Sequence, residues 1–218
     1  FADFESGDYG EWKVTGPSFG TKPYAPRQNL NGLNSILIPL NGQFVADSYF
    51  AFNNYGSHTL KGKLISPEFK IQRQYINFLM SMGWYHLARV RLIVDGKEIY
   101  SESGTPGQIM MMQPMSWYVG DLLGKTATIE VIDEGTEPGQ HVCVDLFVFS
   151  DVDRSEEISQ STAKSILEMA DEWNGRKYYF SELKAPFHYV RPFAERIGGH
   201  LLQVDSPEEA EYIAQRIN

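Results

Sequence analysis

The sequence is poor in several features that identify protein classes. Among 218 residues it has one cysteine, Cys143, which excludes an internal disulfide, a cysteine-rich zinc site and an intramolecular redox pair. Lysine and arginine together number 19 against 28 aspartates and glutamates, for a net charge of −9, so no basic footprint for nucleic acid or anionic lipid is expected. No apolar run approaches the ~20 residues that a membrane-spanning helix needs, and none has the form of a signal peptide.

Recognisable catalytic patterns are also missing. The segment Gly56-Ser57-His58 lacks the Gly-x-Ser-x-Gly pattern of a nucleophile elbow, and the histidines have no metal-binding spacing such as His-x3-His. Asp133 and Glu134 are adjacent carboxylates, but neighbouring residues at a strand end point apart, whereas glycoside hydrolysis needs two carboxyl groups ~5 to 9.5 Å apart. We therefore expect a non-catalytic protein.

Aromatic residues and glycine are frequent: 12 Tyr, 13 Phe, 4 Trp and 19 Gly. This composition suits a β-sandwich with an aromatic ligand face. Up to residue 151 the sequence indicates strands and turns, with β-prone runs at 12–14, 36–38, 60–65, 75–82, 89–94, 98–100, 126–133 and 142–149. Asp95-Gly96 predicts a two-residue hairpin turn. About eight strands at this spacing predict an antiparallel sandwich or jelly roll.

The run 142–149 is apolar on both faces and is therefore expected to be a central strand. Strict alternation would place Val142, Val144, Leu146 and Val148 on one face and Cys143, Asp145, Phe147 and Phe149 on the other. For 126–133, alternation predicts one face with Ala127, Ile129, Val131 and Asp133.

Beyond residue 151 the apolar period becomes helical. Asp153 and Glu156 resemble a capping box that opens a linker helix within 152–172, with helical spacing to about residue 171. A short strand is expected at 178–180, and a helix at 187–197 that Gly198-Gly199 ends. Ser206, Pro207 and Glu209 open a last helix, whose apolar stripe is Ala210, Ile213, Ala214 and Ile217.

The first 151 residues resemble a known accessory domain. The matching segments are DFESGD (3–8), WKVTG (12–16), FG (19–20), GKLISPEF (62–69), YINFL (75–79), LIVDGK (92–97), SW (116–117), DLLGK (121–125) and IEVID (129–133). They are similar to the β-sandwich at the front of bacterial levanase-like and invertase-like members of glycoside hydrolase family 32. The resemblance implies a jelly-roll, galactose-binding-like fold without catalysis of its own. The Asn-Asp-Pro-Asn-Gly type motif of the family 32 catalytic domain is absent.

Residues 173–218 resemble the start of a C-type lectin domain. The resemblance rests on WNGRKYYF (173–180), the 187–197 helix with Phe187, Val190 and Ala194, GGHL (198–201) and SPEEAE (206–211). Ala194 stands where many animal lectins have cysteine, which implies a disulfide-free bacterial type. The later strands and the loop that supply calcium and sugar ligands in that family lie beyond Asn218. We expect such a partial module to leave an apolar face open, covered by the first domain, a partner or more of a longer chain.

The predicted sugar site lies in two connections between strands. A sugar ring needs an aromatic platform and polar groups around its hydroxyls. Trp84 and Tyr85 are the expected platform, beside His86, and Asp133, Glu134 and His141 are the expected rim at the same end of the sandwich. Two alternatives stay open: Trp84 or Tyr85 packs on the linker helix or the lectin-like part, or His141 is a strand-start histidine bonded to backbone.

A structural calcium ion is the one expected cofactor. The resembled sandwiches often hold Ca²⁺ where the chain ends meet, which requires six to eight oxygen ligands. Asp3, Glu5 and Asp145 are the candidate ligands, since the first and last strands would be neighbours. The alternative is that these are ordinary surface acids.

Other prominent side chains are expected to be structural. Trp12 and Trp117 sit among strand residues and predict core packing. The run Met110-Met111-Met112 predicts buried apolar filling or a flexible hydrophobic loop, and the alternating Arg89 and Arg91 predict a solvated or ion-paired face.

Three functional hypotheses follow. The first is a non-catalytic carbohydrate-binding or surface-recognition protein whose partner is a glycan or small saccharide, in a secreted, periplasmic or cell-surface location. The second is the accessory front of a larger hydrolase that acts on fructan-type glycans. The third is a protein–protein adhesion module.

Overall fold

The computed structural model describes residues 1–25, 42–49, 58–82, 86–103, 112–137, 140–168, 170–180, 191, 194–195 and 198–217. The strands are β1 (Lys13–Thr15), β2 (Ala46–Asp47), β3 (Gly62–Ile65), β4 (Phe69–Lys70), β5 (Tyr75–Met82), β6 (Ala88–Val94), β7 (Lys97–Ser103), β8 (Gln113–Tyr118), β9 (Thr126–Asp133), β10 (Val142–Ser150), β11 (Asp171–Trp173) and β12 (Arg176–Tyr178). The helices are α1 (Ser155–Glu168) and α2 (Pro207–Ile217), with a 3₁₀ turn at Gly120–Leu122.

Strands β1 to β10 form a two-layer antiparallel sandwich, as the sequence predicts. One sheet has the order β1-β3-β9-β6-β7, with β4 also paired to β9, and the other has the order β2-β10-β5-β8. Every pairing in both sheets is antiparallel. The predicted run at 36–38 lies outside the described residues. The mostly β fold class is therefore confirmed from the pairing itself.

The β6–β7 hairpin forms where the Asp95-Gly96 pair predicts it. Val94 pairs with Lys97 across the turn, and both central residues have positive φ, 49° at Asp95 and 77° at Gly96. Two positive φ values define the type I′ turn, whose twist matches that of the flanking strands.

Strand β10 is central, as expected, but its predicted faces are wrong in its second half. The register against β5 shifts between Asp145 and Val148, and Leu146 has a φ of 53°, which marks a β-bulge. A bulge inserts one residue and reverses the alternation that follows it. Phe147 consequently joins Val142 and Val144 in the main core, while Leu146 packs on the opposite face.

Two apolar clusters cover the two faces of the four-stranded sheet. The main core fills the space between the sheets and contains Trp12 and Trp117, which confirms their predicted structural role. A second cluster on the outer face consists of Tyr24, Val45, Leu79, Met112, Cys143 and Ile158. Buried Met112 agrees with the apolar filling predicted for that run, whose other two methionines lie outside the described residues.

Helix α1 packs on the outer face of this sheet, against β8 and β5. The Asp153 carboxylate accepts a hydrogen bond from the Ser155 amide at 2.8 Å, so the predicted start is correct. Glu156 accepts from Gln160 Nε2 instead of completing a capping box. The helix ends at Glu168 and not near residue 171, because Asp171–Trp173 pairs with Arg176–Tyr178 in a hairpin.

The C-terminal part is a small aromatic unit. The short strand predicted at 178–180 lies instead at β12, and Trp173 of β11 stacks on Tyr212 of α2 at 5.0 Å between ring centroids. The amides of Gly198 and Gly199 donate to the Glu195 and Ala194 carbonyls, the pair of bonds that ends a helix in a Schellman motif.

Helix α2 begins at the predicted residue, and its predicted apolar stripe is only partly covered. Ser206 Oγ accepts a hydrogen bond from the Glu209 amide at 3.1 Å, as expected of an N-cap. Ile213 is buried, whereas Ile217 is 70% exposed.

The outer face of the six-stranded sheet is charged. Arg91 pairs with Glu130 and Glu98, and Arg89 pairs with Glu134, which confirms the ion-paired reading of the two arginines. In the described part of the chain, no helix combines the length and apolar character that crossing a bilayer requires.

Candidate functional site

Three connections meet at one end of the sandwich, which we call the loop end. Strand β5 leaves the sheets at Met82 and β6 enters at Ala88, while β9 leaves at Asp133 and β10 enters at Val142. Met82 is paired with Val142, and Ala88 with Asp133. Connections 83–87 and 134–141 therefore begin and end at strand residues that are paired with each other. The segment after β2 begins at the same end of the sandwich, because Asp47 is paired with Cys143.

Next to these strand ends lies a loop-end cluster of polar side chains: Asp47, Ser48, Tyr49, His58, Asp133 and His141. Asp47, Ser48, Asp133 and His141 are all buried. These residues come from four separate stretches of the chain.

The centre of the cluster is Asp133, which faces Ser48 of the opposite sheet. Asp133 is the last residue of β9, on the same side as the core residues Ile129 and Val131, and is 1% exposed. The Ser48 side chain, which follows β2 in the opposite sheet, lies close enough to lower the pKa of this carboxyl group. Ser48 is itself locked to Val142: its amide donates to the Val142 carbonyl and its Oγ accepts from the Val142 amide, both at 2.9 Å.

The environment favours the neutral form of Asp133. Burial raises the pKa of Asp133 to about 7, and the negative charge of Asp47 acts in the same direction. The Ser48 side chain, a hydrogen bond from the Gly135 amide and the charge of Lys61 oppose this rise. The effect of desolvation on the pKa is larger than these opposing effects, because a buried carboxylate loses more hydration than these contacts replace.

The second part of the cluster is a group of three rings. Tyr49 lies between His58 and His141, with ring centroids at 4.6 Å and 5.0 Å. Burial, and to a smaller extent the neighbouring His58, lower the pKa of His141 to about 4. Nδ1 of each histidine is buried and has no hydrogen-bond partner among the residues that the structure describes. Burial also lowers the pKa of His58, so the environment favours the neutral form of both imidazoles.

The connection 134–141 is organised by a buried amide. Gln140 Oε1 accepts hydrogen bonds from the Thr136 and Glu137 amides at 2.9 and 3.1 Å, and the Gln140 amide donates to the Glu137 carbonyl. One side chain therefore holds the turn that precedes His141.

The predicted rim is divided between surface and interior. His86 is exposed and Glu134 is half-buried, paired with Arg89 at 3.4 Å and Lys63 at 4.0 Å. Asp133 and His141, expected on an open rim, are buried, since the inward side of β9 and the ring group enclose them. Trp84 and Tyr85 lie outside the described residues.

Four members of the cluster were missed from the sequence. Asp47 is the last residue of β2, which has two residues and so shows no alternation, and Ser48 and Tyr49 follow it. His58 carries no motif. The available signal was the polar run Asp47-Ser48 after the apolar Phe44-Val45-Ala46.

The expected calcium ligands are not brought together. The Glu5 carboxylate accepts hydrogen bonds from the Gln43 and Phe44 amides, Asp3 accepts from the Glu5 amide, and Asp145 lies by Cys143. The described residues contain no group of three or more His, Cys, Asp or Glu side chains suited to a metal ion. The chain start does pair with β10, through Ala2 and Phe147.

Chemically, the loop end offers a neutral interior below a polar surface. Buried Asp133 and His141 support the surface from below, and the outer ring of Glu134, Arg89 and Lys63 supplies charged hydrogen-bonding groups. This combination can hold an uncharged polyhydroxyl ligand.

One known protein shares sequence with most of this chain. A candidate glycosyl hydrolase of Aspergillus rugulosus, ecdE, is 30% identical over 164 residues. The match spans 73% of this chain and 22% of that protein, so the chain covers about a fifth of the length of this curated relative.

Several solved β-domains share its general outline. TmCBM61 in complex with β-1,4-galactotriose has 15% identity and a TM-score of 0.40, over 67% of this chain and 92% of that one. The K3 adhesin domain of Lys-gingipain from Porphyromonas gingivalis has 13% identity and a TM-score of 0.41, over 68% and 97%. CsCBM6-3 from Clostridium stercorarium in complex with cellobiose has 12% identity and a TM-score of 0.37, over 64% and 87%.

No protein-family model matches the chain. Structural likenesses with TM-scores under 0.5 assign neither family nor ligand. The chain has an antiparallel sandwich with a polar loop end. Part of its sequence is similar to a candidate glycosyl hydrolase several times its length.

Proposed function

We propose that this chain is a non-catalytic glycan-binding β-sandwich module of a secreted or cell-surface protein that processes glycans. The observation that carries the proposal is the match to a glycosyl hydrolase over 164 residues that amount to 22% of it. A segment of that size corresponds to one accessory module beside a larger remainder.

The loop end is the proposed binding surface. Trp84 and Tyr85 belong to the connection between Met82 and Ala88. These two strand residues are paired with Val142 and Asp133, which flank the connection 134–141. His86 and Glu134 supply exposed polar groups there. Asp133 and His141 form the floor that supports this surface.

The test is a glycan array with fructans, galactans and common monosaccharides, followed by calorimetry on any glycan bound. Trp84→Ala and Tyr85→Ala are each expected to weaken binding at least tenfold, equivalent to about 1.4 kcal/mol. The matched control is Tyr118→Ala, an aromatic residue 46% exposed that pairs with Tyr75 at the opposite end of β5.

Two outcomes would overturn this assignment. One is an array without any glycan signal for a folded protein. The other is equal loss of affinity in Tyr118→Ala and Trp84→Ala, which would place the ligand away from the loop end.

Protein adhesion is a second candidate, favoured by apolar exposure in the C-terminal part. Leu202, Val204 and Ile217 are all exposed there, and exposed apolar patches mark interaction surfaces. The lectin-like character of residues 173–218 belongs to this candidate. A protein partner that binds with unchanged affinity after Trp84→Ala would support it.

A further inference from the structure

The two connections of the proposed binding surface are bonded to each other through their main chains. The Glu134 amide, at the start of 134–141, donates to the carbonyl of Leu87, at the end of 83–87, at 2.8 Å. One hydrogen bond joins two segments at a point without fixing their relative orientation. The arrangement of the connections therefore depends on side chains that touch both of them.

Arg89 is such a side chain. Its Nη1 donates to the His86 carbonyl at 2.9 Å and to a carboxylate oxygen of Glu134 at 3.4 Å. His86 belongs to 83–87 and directly follows Tyr85 in the chain, while Glu134 belongs to the other connection. A charged donor makes hydrogen bonds roughly twice as strong as a neutral one, so one guanidinium group ties both connections to the sheet.

The support of this arginine is rigid. Arg89 lies in β6, an interior strand of its sheet, and is paired with Ile132 of β9 and Ser103 of β7. Lys63 is paired with Ile132 from the other side, and its Nζ lies 4.0 Å from the second carboxylate oxygen of Glu134. The Glu134 carboxylate therefore lies between two cations, which favour one orientation of it.

We propose that Arg89 is a positioning residue for the glycan site, which orders the connections 83–87 and 134–141 before a ligand arrives. We rest this inference on the proposed function, because both concern the same loop-end surface. A surface that is ordered in advance binds more tightly, since less conformational entropy is lost on binding. When fewer free molecules have the competent arrangement, the apparent Kd rises in inverse proportion to that fraction.

Arg91 provides a matched control on the same strand and the same face. Its side chain is 23% exposed against 21% for Arg89, and it is also paired with carboxylates, those of Glu130 and Glu98. These partners lie in β9 and β7 and not in either connection. Either arginine replaced by glutamine removes one ion-paired charge from this face, but only Arg89→Gln releases the connections.

The first measurement needs no ligand. Amide hydrogen exchange on the intact chain follows the Glu134 amide, whose bond to Leu87 joins the connections. Arg89→Gln is expected to accelerate its exchange at least about tenfold, because local opening becomes easier, whereas Arg91→Gln should leave the rate unchanged. Should Arg89→Gln fail to fold, Arg89→Lys replaces it, with a smaller acceleration expected because lysine keeps the charge but lacks the planar fork of donors.

Internal controls separate a local release from a general loss of stability. The amides of Val119 and Gly124 are bonded to the Gln74 and Ile71 carbonyls at the opposite end of the sandwich. Their exchange should be the same in the unmodified chain and in every variant.

The second measurement is calorimetry with a glycan that the array identifies. Arg89→Gln is expected to raise Kd about tenfold, and Arg91→Gln to change it less than about twofold. Saturating glycan should restore the protection of the Glu134 amide in Arg89→Gln, because the ligand binds the ordered arrangement and shifts the population toward it. A residue that only stabilises the fold would not produce this recovery.

The outcomes distinguish this role from glycan binding itself. An unchanged Glu134 exchange rate in the Arg89 variant, or equal acceleration in Arg91→Gln, overturns the positioning role. Accelerated exchange with an unchanged Kd overturns it too, since the order of the connections would then not matter for binding. An array without any glycan signal overturns the proposed function and the glycan-binding part of this inference, while accelerated exchange would still support Arg89 as the residue that orders the connections.

Discussion

Asn77 should be among the most sensitive positions in the sandwich, and Asn77→Ala is the change that measures this. Asn77 is 0% exposed in the central strand β5. Its Nδ2 donates to Ser150 Oγ at 3.0 Å and to the Val148 carbonyl at 3.4 Å. Its Oδ1 accepts from Ser116 Oγ at 3.0 Å and from the Arg154 amide at 2.8 Å. One amide therefore connects β8, β10 and the start of α1.

The magnitude follows from these four hydrogen bonds. Each contributes about 0.5 to 1.5 kcal/mol net, and partners left buried without a bond cost more. Asn77→Ala should thus lower the free energy of unfolding by about 3 to 5 kcal/mol, a large part of the about 5 to 15 kcal/mol typical of a domain.

The assay is urea unfolding followed by tryptophan fluorescence, with Ser116→Ala as the matched control that removes one of the four bonds. The control should cost about 1 kcal/mol, and the double variant should cost less than the sum of the two, since both remove the same contact. A loss below about 1 kcal/mol for Asn77→Ala, or full additivity, would refute the reasoning.

Three further predictions concern the backbone, the loop end and calcium. Gly96→Ala should cost about 1 to 2 kcal/mol of folding stability, the penalty of a left-handed backbone, because φ is 77° and no atom of the described residues lies within 4 Å of the added carbon. Gly16→Ala should cost clearly more in the same urea assay, since its added carbon would lie 2.4 Å from the Lys61 carbonyl oxygen. Equal costs for the two variants would contradict this. Gln140→Ala removes the acceptor of two amides, so proteolysis within 134–141 should accelerate relative to wild type, with an unchanged cleavage rate counting against it. Because the described residues do not bring Asp3, Glu5 and Asp145 together as a metal-binding group, calcium added after chelation should leave the melting temperature unchanged, and a rise would support a structural calcium ion.

Local patterns predicted well wherever one short segment carries the whole signal. The alternation in 126–133 gave the bounds of β9, and the Asp95-Gly96 pair gave the β6–β7 turn. Strand β8 was not predicted from the sequence, and it contains Pro114, a residue type that disfavours strands. The structure accepts this proline because β8 is an edge strand, where a missing amide donor costs little.

The loop-end site was predicted in part because only part of it is local. Asp133, Glu134 and His141 flank one connection, and their proximity follows from the chain itself. Asp47 and Ser48 reach Asp133 only across the gap between two sheets, and nothing in the sequence pairs residues so far apart. The burial of Asp133, which the sequence placed on an exposed rim, also depends on the opposite sheet.

By itself, the sequence determined the class of this protein: alternating apolar residues and turn signals require antiparallel strands, because each pattern acts within a few residues. The tertiary structure alone decided how those strands meet. It placed the bulge at Leu146, which reverses the faces of β10, and it brought Ser48 against Asp133. Both depend on contacts between distant segments, whose free energy appears only when the two sheets pack.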